Sequence, residues 1–302
     1  MKSIAGKFTE KASPFGYKLK AIDICHLPEL QKTIETLLRD GLIDKRLYET
    51  YLRFDYTPKS QSVDAKTVFI VAMPHPITRI RFEWRGKTHS IDIPPTYFAK
   101  QYDVRAQEIL NGLLTPADYK TDRANLPLKT LAVKSGLARY GRNNITYVPG
   151  MGSFHRLLAF YSDYPCEEDN WQEAKTMKAC DKCFACLENC PTRCIATDRF
   201  LIQAEKCLTF VNEDEQDMPD WIPQSSHNAI VGCMRCQLVC PVDKPYIGNI
   251  VAGPDFSEEE TTLILNKVTA AKLAPDTRRK LENTFSDDMY ALLPRNLGLL
   301  IN

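Results

Sequence analysis

The sequence lacks any apolar run of 18 residues, so no segment has the length and character of a membrane-spanning helix. It also lacks an excess of charge of one sign, since 39 Lys and Arg against 38 Asp and Glu leave a net charge of +1. This balance argues against nucleic-acid binding driven by bulk charge, although it leaves a local basic patch open. No apolar stretch follows the first residues, so we expect no secretory signal and assume a cytoplasmic location.

A regular alternation of strands and helices is absent too, which favours an α+β fold over a doubly wound parallel sheet. The clearest strand is the apolar, β-branched run Thr67–Met73, and Arg79–Ile93 has the alternation of a hairpin. Helices are predicted at residues 28–52, 97–114, 126–134 and 256–302. We predict an α+β domain at residues 1–170, a cysteine-rich domain at residues 171–250, and a C-terminal helical segment at residues 251–302 that packs back on the core.

Cysteine is plentiful but unevenly placed, because nine of the eleven cysteines lie between Cys180 and Cys240. We call residues 180–240 the cysteine module. A disulfide framework is typical of small secreted proteins, whereas clustered cysteines in a cytoplasmic protein more often bind metal. The module is therefore the first candidate for chemistry in this chain.

Two motifs in the module end in Cys-Pro. The first, from Cys180 to Pro191, is Cys-x2-Cys-x2-Cys-x3-Cys-Pro, and the second, from Cys233 to Pro241, is Cys-x2-Cys-x3-Cys-Pro. In bacterial ferredoxins three thiolates of such a run bind one 4Fe–4S cluster and the fourth binds the other cluster. The first ligand set predicted by this rule is Cys180, Cys183, Cys186 and Cys240. The second ligand set is Cys190, Cys207, Cys233 and Cys236.

Structural zinc is the competing interpretation, but zinc sites usually pair two Cys-x2-Cys units, and the spacing and the two prolines disfavour it here. The ligand assignment leaves Cys194 unused. We interpret Cys194, and with it Cys25 and Cys166, as small buried hydrophobic residues. A simple ferredoxin would not need the 179 residues that precede the module.

The chain resembles a known family, the epoxyqueuosine reductases, which are related to cobalamin-dependent reductive dehalogenases. Four stretches carry the resemblance: residues 66–74, residues 121–148, the paired cysteine motifs, and Leu293-Pro294-Arg295-Asn296. Residues 121–148 contain an aspartate, a helix-like stretch and a glycine pattern similar to the family's Gly-Leu-Gly-x-x-Gly-Lys-Asn motif. The chain ends where many members continue into a helical-repeat domain, so we expect a short form.

The resemblance implies a cobalamin-binding α+β domain and a ferredoxin-like two-cluster module, with the corrinoid held between them. Electrons would pass from an external low-potential donor, such as ferredoxin or flavodoxin, through two 4Fe–4S clusters to cobalt. Two-electron reduction of an epoxide would leave an alkene, with a carboxylic acid supplying a proton. By its position in the motif, this acid is Asp122.

The resemblance also implies corrinoid contacts, mostly in residues 136–153, which we call the glycine segment. The implied contacts are Gly136, Leu137, Gly141, Asn143, Ser153 and Tyr102. Simpler interpretations exist for several candidates. Asp122 has the position of a helix N-cap and Gly136 that of a helix C-cap, and Ser153 could merely start a strand. Tyr97, Tyr102 and Tyr140 either line a substrate cavity or belong to the core, while His75 and His155 are interpreted as structural or surface residues.

Departures from the family pattern leave the substrate open. The family's Gly-Leu-Gly-Trp is Gly136-Leu137-Ala138-Arg139 here, and its Lys-Asn is Arg142-Asn143. The substrate is either a modified tRNA nucleoside or a small molecule. The alternative to a reductase is an iron–sulfur electron-transfer protein that reduces a partner corrinoid protein.

Overall fold

Two compact units interleave along the sequence in the computed structural model. The structure describes residues 3–59, 63–97, 100–286 and 289–302. The first unit comprises Met1–His75, Ala99–Phe184 and Arg199–Leu201, and the second comprises Pro76–Phe98, Ala185–Asp198 and Ile202–Asn302. The domain boundaries predicted at residues 170 and 250 remain a prediction.

Nine strands are formed by the described residues. They are β1 (Lys18–Asp23), β2 (Thr67–Pro74), β3 (Ile77–Trp84), β4 (Lys87–Ile93), β5 (Thr121–Ala124), β6 (Arg139–Tyr140), β7 (Thr146–Tyr147), β8 (His155–Ser162) and β9 (Ile250–Phe256).

Eleven α-helices are formed by the same described ranges, and none of them combines the length and apolar character needed to cross a bilayer. They are α1 (Ile4–Ala12), α2 (Leu27–Arg39), α3 (Lys45–Tyr51), α4 (Lys100–Leu114), α5 (Leu128–Lys134), α6 (Ala185–Glu188), α7 (Leu208–Glu213), α8 (Arg235–Leu238), α9 (Glu258–Leu265), α10 (Pro275–Thr284) and α11 (Leu293–Ile301).

The first unit is built on an antiparallel sheet with the strand order β1-β2-β8-β5. Strand β2, predicted from its apolar run, is buried along nearly its whole length, because it lies between two neighbours and is covered on both faces. Its side chains alternate: Val68 and Ile70 pack into the cluster that contains α2 and α5 residues, whereas Phe69 and Val71 pack with α1 and α4 residues. Helices thus cover both faces of this sheet.

In the second unit β3 lies between β4, which is antiparallel, and β9, which is parallel. The predicted hairpin is confirmed, and its two-residue turn is Arg85-Gly86, both with positive φ, as a tight turn between twisted strands requires. The C-terminal helices pack on this sheet through a buried cluster that includes Ile80, Phe256 and Leu297. The α+β class is confirmed.

Two of the sequence predictions need correction. The helix predicted at residues 28–52 is two helices, α2 and α3, because the chain turns at Gly41 (φ 68°) and Asp44 starts a new helix by accepting a hydrogen bond from the Leu47 amide. The stretch predicted as helical from Phe256 begins instead with the last residue of β9. Long-range pairing with β3 fixes this strand, and no local pattern predicted it.

Candidate functional site

The nine cysteines of the module are all free thiols. The two Cys-Pro motifs have the same local geometry, because each contains a four-residue helix, α6 or α8. The second residue of each helix is the cysteine four residues before the Cys-Pro cysteine, Cys186 or Cys236. In each motif the cysteine before proline donates its amide hydrogen to the carbonyl three residues earlier. Helices α6 and α8 also pack against each other within the second unit. The repeat noticed in the sequence is therefore a repeat of structure.

Three thiols of the second unit lie together. The Sγ atom of Cys194 is 3.5 Å from that of Cys190, and Cys194 also hydrogen-bonds with Cys207. Hydrogen bonding by Cys194 lowers the pKa of the Cys190 thiol to about 5 and also lowers the pKa of the Cys207 thiol. Thiolate is the form that binds metal, so the structure favours the ligating form of two members of the second ligand set.

Cys194 itself is 2% exposed, as the prediction of a small buried residue requires. Its position beside two candidate ligands goes beyond that prediction. Hydrogen bonding with Cys190 raises the pKa of the Cys194 thiol, so Cys194 is the protonated member of the group.

Cys233, a third candidate ligand of the second set, is contacted by an amide. The Nδ2 atom of Asn228 lies 3.3 Å from the Cys233 Sγ atom. Burial raises the pKa of this thiol, and the Asn228 hydrogen bond opposes that effect. No sequence signal marked Asn228, which stands five residues before the cysteine.

The donor set fits iron–sulfur clusters. Thiolates are the usual ligands of 4Fe–4S clusters, and eight of the nine free thiols follow the two-cluster spacing. Within the described ranges, no three Cys, His, Asp or Glu side chains converge on a point where a single metal ion could bind. A four-iron cluster takes one thiolate at each iron, so its four ligands need not converge in this way.

An arginine of the glycine segment holds the loop of the first cysteine motif. Arg142 donates from Nη2 to the Cys180 carbonyl at 2.6 Å and from Nε to the Cys183 carbonyl at 2.9 Å, and its guanidinium lies over the Phe184 ring. A planar guanidinium can serve two carbonyls at once, which an ammonium group does poorly. The replacement of the family's Lys by Arg was the available signal for this role, and sequence reasoning missed it.

The Arg-Asn pair near the end of the chain holds the backbone between Cys207 and Cys233. Arg295 donates to the carbonyls of Val211, Asn212, Asp214 and Gln216, which follow or end helix α7 after Cys207. Asn296 donates to the carbonyls of Asn212 and Ile230 at 2.9 and 2.8 Å. The motif that carried part of the family resemblance therefore positions the backbone that follows Cys207 and the backbone that precedes Cys233, two candidate ligands.

Tyr97 lies in the second unit. Its hydroxyl donates to Glu213, and burial raises the tyrosine pKa well above its usual value. A Cβ atom at Gly232 would lie 2.7 Å from the Tyr97 hydroxyl oxygen, so the residue before Cys233 must be small. Tyr97 thus packs against the loop that leads to a candidate cluster ligand.

Asp122 is half-buried on the edge strand β5, where it pairs with Tyr161 of β8. The N-cap interpretation is wrong, because helix α5 starts six residues later and its N-cap is Pro127. Neighbouring Arg123 donates to Asp103 at 2.9 Å, and Arg156 binds the same carboxylate through both Nε and Nη2. The strand that carries Asp122 is therefore anchored to α4 as well as to β8.

Side chains of this chain fill much of the space around the glycine segment. A Cβ atom at Gly136 would lie 2.3 Å from the Gln172 amide nitrogen, and one at Gly141 would lie 2.5 Å from the Tyr147 ring. The Asn143 amide is buried and used at both ends, since it donates to the Tyr147 hydroxyl and accepts from the Ile145 amide. Gly136 has a positive φ (74°) directly after Ser135, the C-cap residue of α5, so it ends the helix one residue beyond the predicted C-cap position.

A groove of about 670 Å³ in the first unit is bordered by Gly136 and Leu137. Its other lining residues are Ser3, Ala5, Gly6, Thr9, Lys18, Leu19, Lys20, Pro149 and Glu168. This volume is in the range of small-molecule and cofactor sites. Two of the six predicted corrinoid contacts therefore border open space, and a bound group could reach them there. Ser153, another predicted contact, is buried two residues before β8 begins.

The candidate tyrosines and histidines of the first unit are mostly engaged in packing. The centroid of the Tyr102 ring lies 4.5 Å from that of buried His75, with the two ring planes tilted by 43°. Tyr140 is buried, its hydroxyl lies 3.0 Å from that of Thr130, and burial raises its pKa to about 12. His155 is buried between the Gly152 carbonyl at Nδ1 and the Thr146 hydroxyl at Nε2.

Because a carbonyl only accepts, Nδ1 of His155 carries the hydrogen and Nε2 accepts from the Thr146 hydroxyl. Burial lowers the pKa of His155 to about 4, so the ring is neutral near pH 7. Both nitrogens are used within the fold, and the interpretation of His155 as structural agrees with this geometry.

Cys25 and Cys166 lie outside the module. Cys25 is exposed, so its interpretation as a buried residue is wrong, and hydrogen bonding to Asp23 raises the pKa of its thiol to about 11. Cys166 is half-buried and packs at the edge of the α1–α4 side of the core.

Comparison with known proteins supports the assignment of the module. A protein-family model described as a 4Fe-4S double cluster binding domain matches residues 179–243. In sequence, the chain is 31% identical to the epoxyqueuosine reductase of Yersinia pestis over 137 residues, which are 45% of this chain and 32% of the relative. The first three curated relatives are thus matched over 31% to 41% of their own length.

Solved epoxyqueuosine reductases have the same fold. The structure from Streptococcus thermophilus matches with a TM-score of 0.66 and 18% identity, over 97% of this chain and 80% of the other. A second structure, a complex with an epoxyqueuosine-modified tRNA-Tyr stem loop, matches with a TM-score of 0.68 and 17% identity over the same shares. The resemblance to this family is therefore confirmed in sequence and in fold.

Proposed function

We propose that this protein is an iron–sulfur- and corrinoid-dependent reductase that removes the oxygen of an epoxide. The observation that carries the proposal is the duplicated Cys-Pro geometry, with free thiols at the two-cluster spacing, in a chain whose fold is that of epoxyqueuosine reductases. The relatives named above are reductases, and their similarity supports the same reaction type for this chain.

The eight predicted thiolates would hold two 4Fe–4S clusters. The first ligand set is Cys180, Cys183, Cys186 and Cys240, and the second is Cys190, Cys207, Cys233 and Cys236. Neighbouring clusters pass single electrons, which suits delivery from a one-electron donor such as ferredoxin or flavodoxin.

We assign the corrinoid to the first unit, with Gly136 and Leu137 as its contacts at the groove. A bound corrinoid would supply the low-potential two-electron chemistry that side chains cannot perform. The other four predicted contacts, Gly141, Asn143, Ser153 and Tyr102, stay predictions whose present partners belong to the chain itself.

Asp122 is the proposed acid. Reduction of an epoxide to an alkene consumes two electrons and two protons, breaks both carbon–oxygen bonds and releases water. Asp122 would give one of the two protons to the leaving oxygen, and solvent would give the other. Replacement of Asp122 by Asn should leave iron and cobalt content unchanged and lower turnover at least 100-fold, the order expected for a general acid. Undiminished turnover would remove Asp122 from the mechanism.

The proposed substrate is a modified tRNA nucleoside that carries an epoxide. Support comes from the solved relative bound to an epoxyqueuosine-modified tRNA stem loop. A cytoplasmic location would follow from this substrate.

Anaerobic reconstitution with iron, sulfide and cobalamin tests the proposal directly. About eight irons and one cobalt per chain, followed by reduction of epoxyqueuosine in a tRNA stem loop, are the expected results. About eight irons without cobalt would instead favour the electron-transfer alternative, in which the chain reduces a partner protein. Fewer than four irons per chain would overturn both.

A further inference from the structure

Two polar side chains of the second unit reach sulfur atoms of the second ligand set. Asn228 lies against Cys233, and Cys194 lies against Cys190. We infer that Asn228 and Cys194 are positioning residues that raise the reduction potential of the second cluster by donating hydrogen bonds to its ligands. This inference rests on the proposed function, because it requires that the module bind clusters.

The Asn228 amide is held so that its NH2 group faces the sulfur. Its Oδ1 atom accepts a hydrogen bond from the Met234 amide at 3.0 Å, which fixes which end of the side chain is oxygen. Its Nδ2 atom donates to the Ser226 carbonyl at 3.0 Å and to the Cys233 Sγ atom at 3.3 Å. All three partners lie within six residues, so the loop before Cys233 carries its own donor.

Cys194 is a donor by the chemistry of its neighbour. A cysteine that ligates iron has lost its hydrogen, so in the 3.5 Å contact between the two sulfur atoms Cys190 can only accept. Cys194 is therefore the member of the pair that keeps its hydrogen. Its side chain is almost fully buried, so water does not compete for the bond.

A donor at a ligand sulfur stabilises the reduced cluster more than the oxidised one, because reduction adds negative charge that spreads onto the sulfurs. Hydrogen bonds to sulfur are among the factors that set the potentials of iron–sulfur clusters. Two such donors should therefore give the second cluster a less negative potential than it would have without them.

The test is a redox titration of the reconstituted protein followed by electron paramagnetic resonance. Cys194→Ala and Asn228→Asp should each keep about eight irons per chain and shift the potential of one cluster to a more negative value, while the other cluster is unchanged. Cys194→Ser, which keeps a hydroxyl donor, should shift it less than Cys194→Ala. Asn189→Ala is the matched control, because the Asn189 amide donates to the Ala185 carbonyl and should leave both potentials unchanged.

Full iron content with unchanged potentials in both the Cys194→Ala and the Asn228→Asp variants would overturn the inference. Loss of about four irons in Cys194→Ala would overturn it in another way, since Cys194 would then be a ligand. If Asn228→Asp alone loses iron, the comparison of Cys194→Ala with Cys194→Ser decides. Absence of iron from the wild-type protein would instead defeat the proposed function, so the two failures are distinguishable.

Discussion

The sequence predicts cofactor-binding residues in both the cysteine module and the glycine segment, but the two regions differ in how those residues are arranged in the structure. In the module, the spacing predicts residues that the fold brings together, such as Cys190 and Cys207, each in contact with Cys194. In the glycine segment, several predicted cofactor contacts are instead packed against the chain itself, as at Gly141 and Asn143. The spacing of cysteines predicts which atoms bind a metal. A glycine pattern predicts only that another group packs closely there, and this group can be a cofactor or a side chain of the same protein.

Loss of a module cysteine should have the largest effect. Replacement of Cys207 by Ala removes one thiolate of the second ligand set, so we expect iron content to fall from about eight to about four per chain. Iron and sulfide analysis after anaerobic reconstitution measures this loss. Cys25→Ala is the control, because this exposed thiol lies outside the module and should cost no iron. Equal iron in Cys207→Ala and wild type would break the ligand assignment.

Local patterns predicted the parts of the fold that local forces decide. The β2 strand, the hairpin turn at Arg85-Gly86 and the cysteine spacing all follow from residues close in sequence. Strand β9 was missed because its partner, β3, lies about 170 residues earlier. The N-cap interpretation of Asp122 failed for the same reason, since pairing with Tyr161 makes it part of a strand.

Acid should lower the free energy of unfolding through His155, which packs at the end of the glycine segment. The pKa of His155 is lowered from 6.5 to about 4 by burial, so the unfolded chain gains a proton on this ring before the folded one does. Stability is therefore unaffected above pH 6.5 and decreases as the pH falls from 6.5 to 4, by about 3 kcal/mol in full.

Chemical denaturation at pH 7 and pH 5 checks this expectation. The free energy of unfolding should fall less between the two pH values in His155→Gln than in the wild type, by about 2 kcal/mol. Comparing the change in the free energy of unfolding between the two pH values removes the contributions of other titrating groups and the constant cost of the substitution. An equal change in the variant and the wild type would mean that His155 is not held neutral in the fold.

A smaller effect is expected where a glycine has no room for a side chain. The Cβ atom of Gly141→Ala would lie 2.5 Å from the Tyr147 ring and 2.6 Å from the Asn143 Oδ1 atom. Overpacking of this kind should lower the free energy of unfolding by about 2 kcal/mol, even without cofactors.

The matched control for Gly141→Ala is Gly112→Ala in helix α4, where the new Cβ has no atom within 4 Å apart from the adjacent residues and the backbone of its own helix. That substitution should stabilise the protein by about 0.5 kcal/mol, because alanine loses less backbone entropy than glycine in a helix. If Gly141→Ala were neutral in the cofactor-free protein but abolished cobalt binding, the glycine would serve the cofactor and the comparison above would be reversed.

Loss of Arg142 should have the smallest effect on stability. It also tests the contrast between the two regions most directly, because Arg142 belongs to the glycine segment and binds the cysteine module. Its guanidinium serves the carbonyls of both Cys180 and Cys183. Arg142→Ala should cost about 1.5 kcal/mol, the low end for hydrogen bonds to a charged group. It should also reduce occupancy of the first cluster, because two of its ligands stand on the loop that this side chain holds.

Arg142→Lys should keep part of that occupancy, since an ammonium group can reach one carbonyl but does not match the two together. Arg139→Ala, three residues earlier on an exposed position of β6, should keep all of it. Iron content and the redox titration together identify which cluster is lost. If Arg142→Ala lost cobalt and kept eight irons, this position would contact the corrinoid, and the glycine segment would be a cofactor site after all. If Arg142→Ala lost iron and kept cobalt, Arg142 would stabilise the cysteine module, and this part of the glycine segment would be structural.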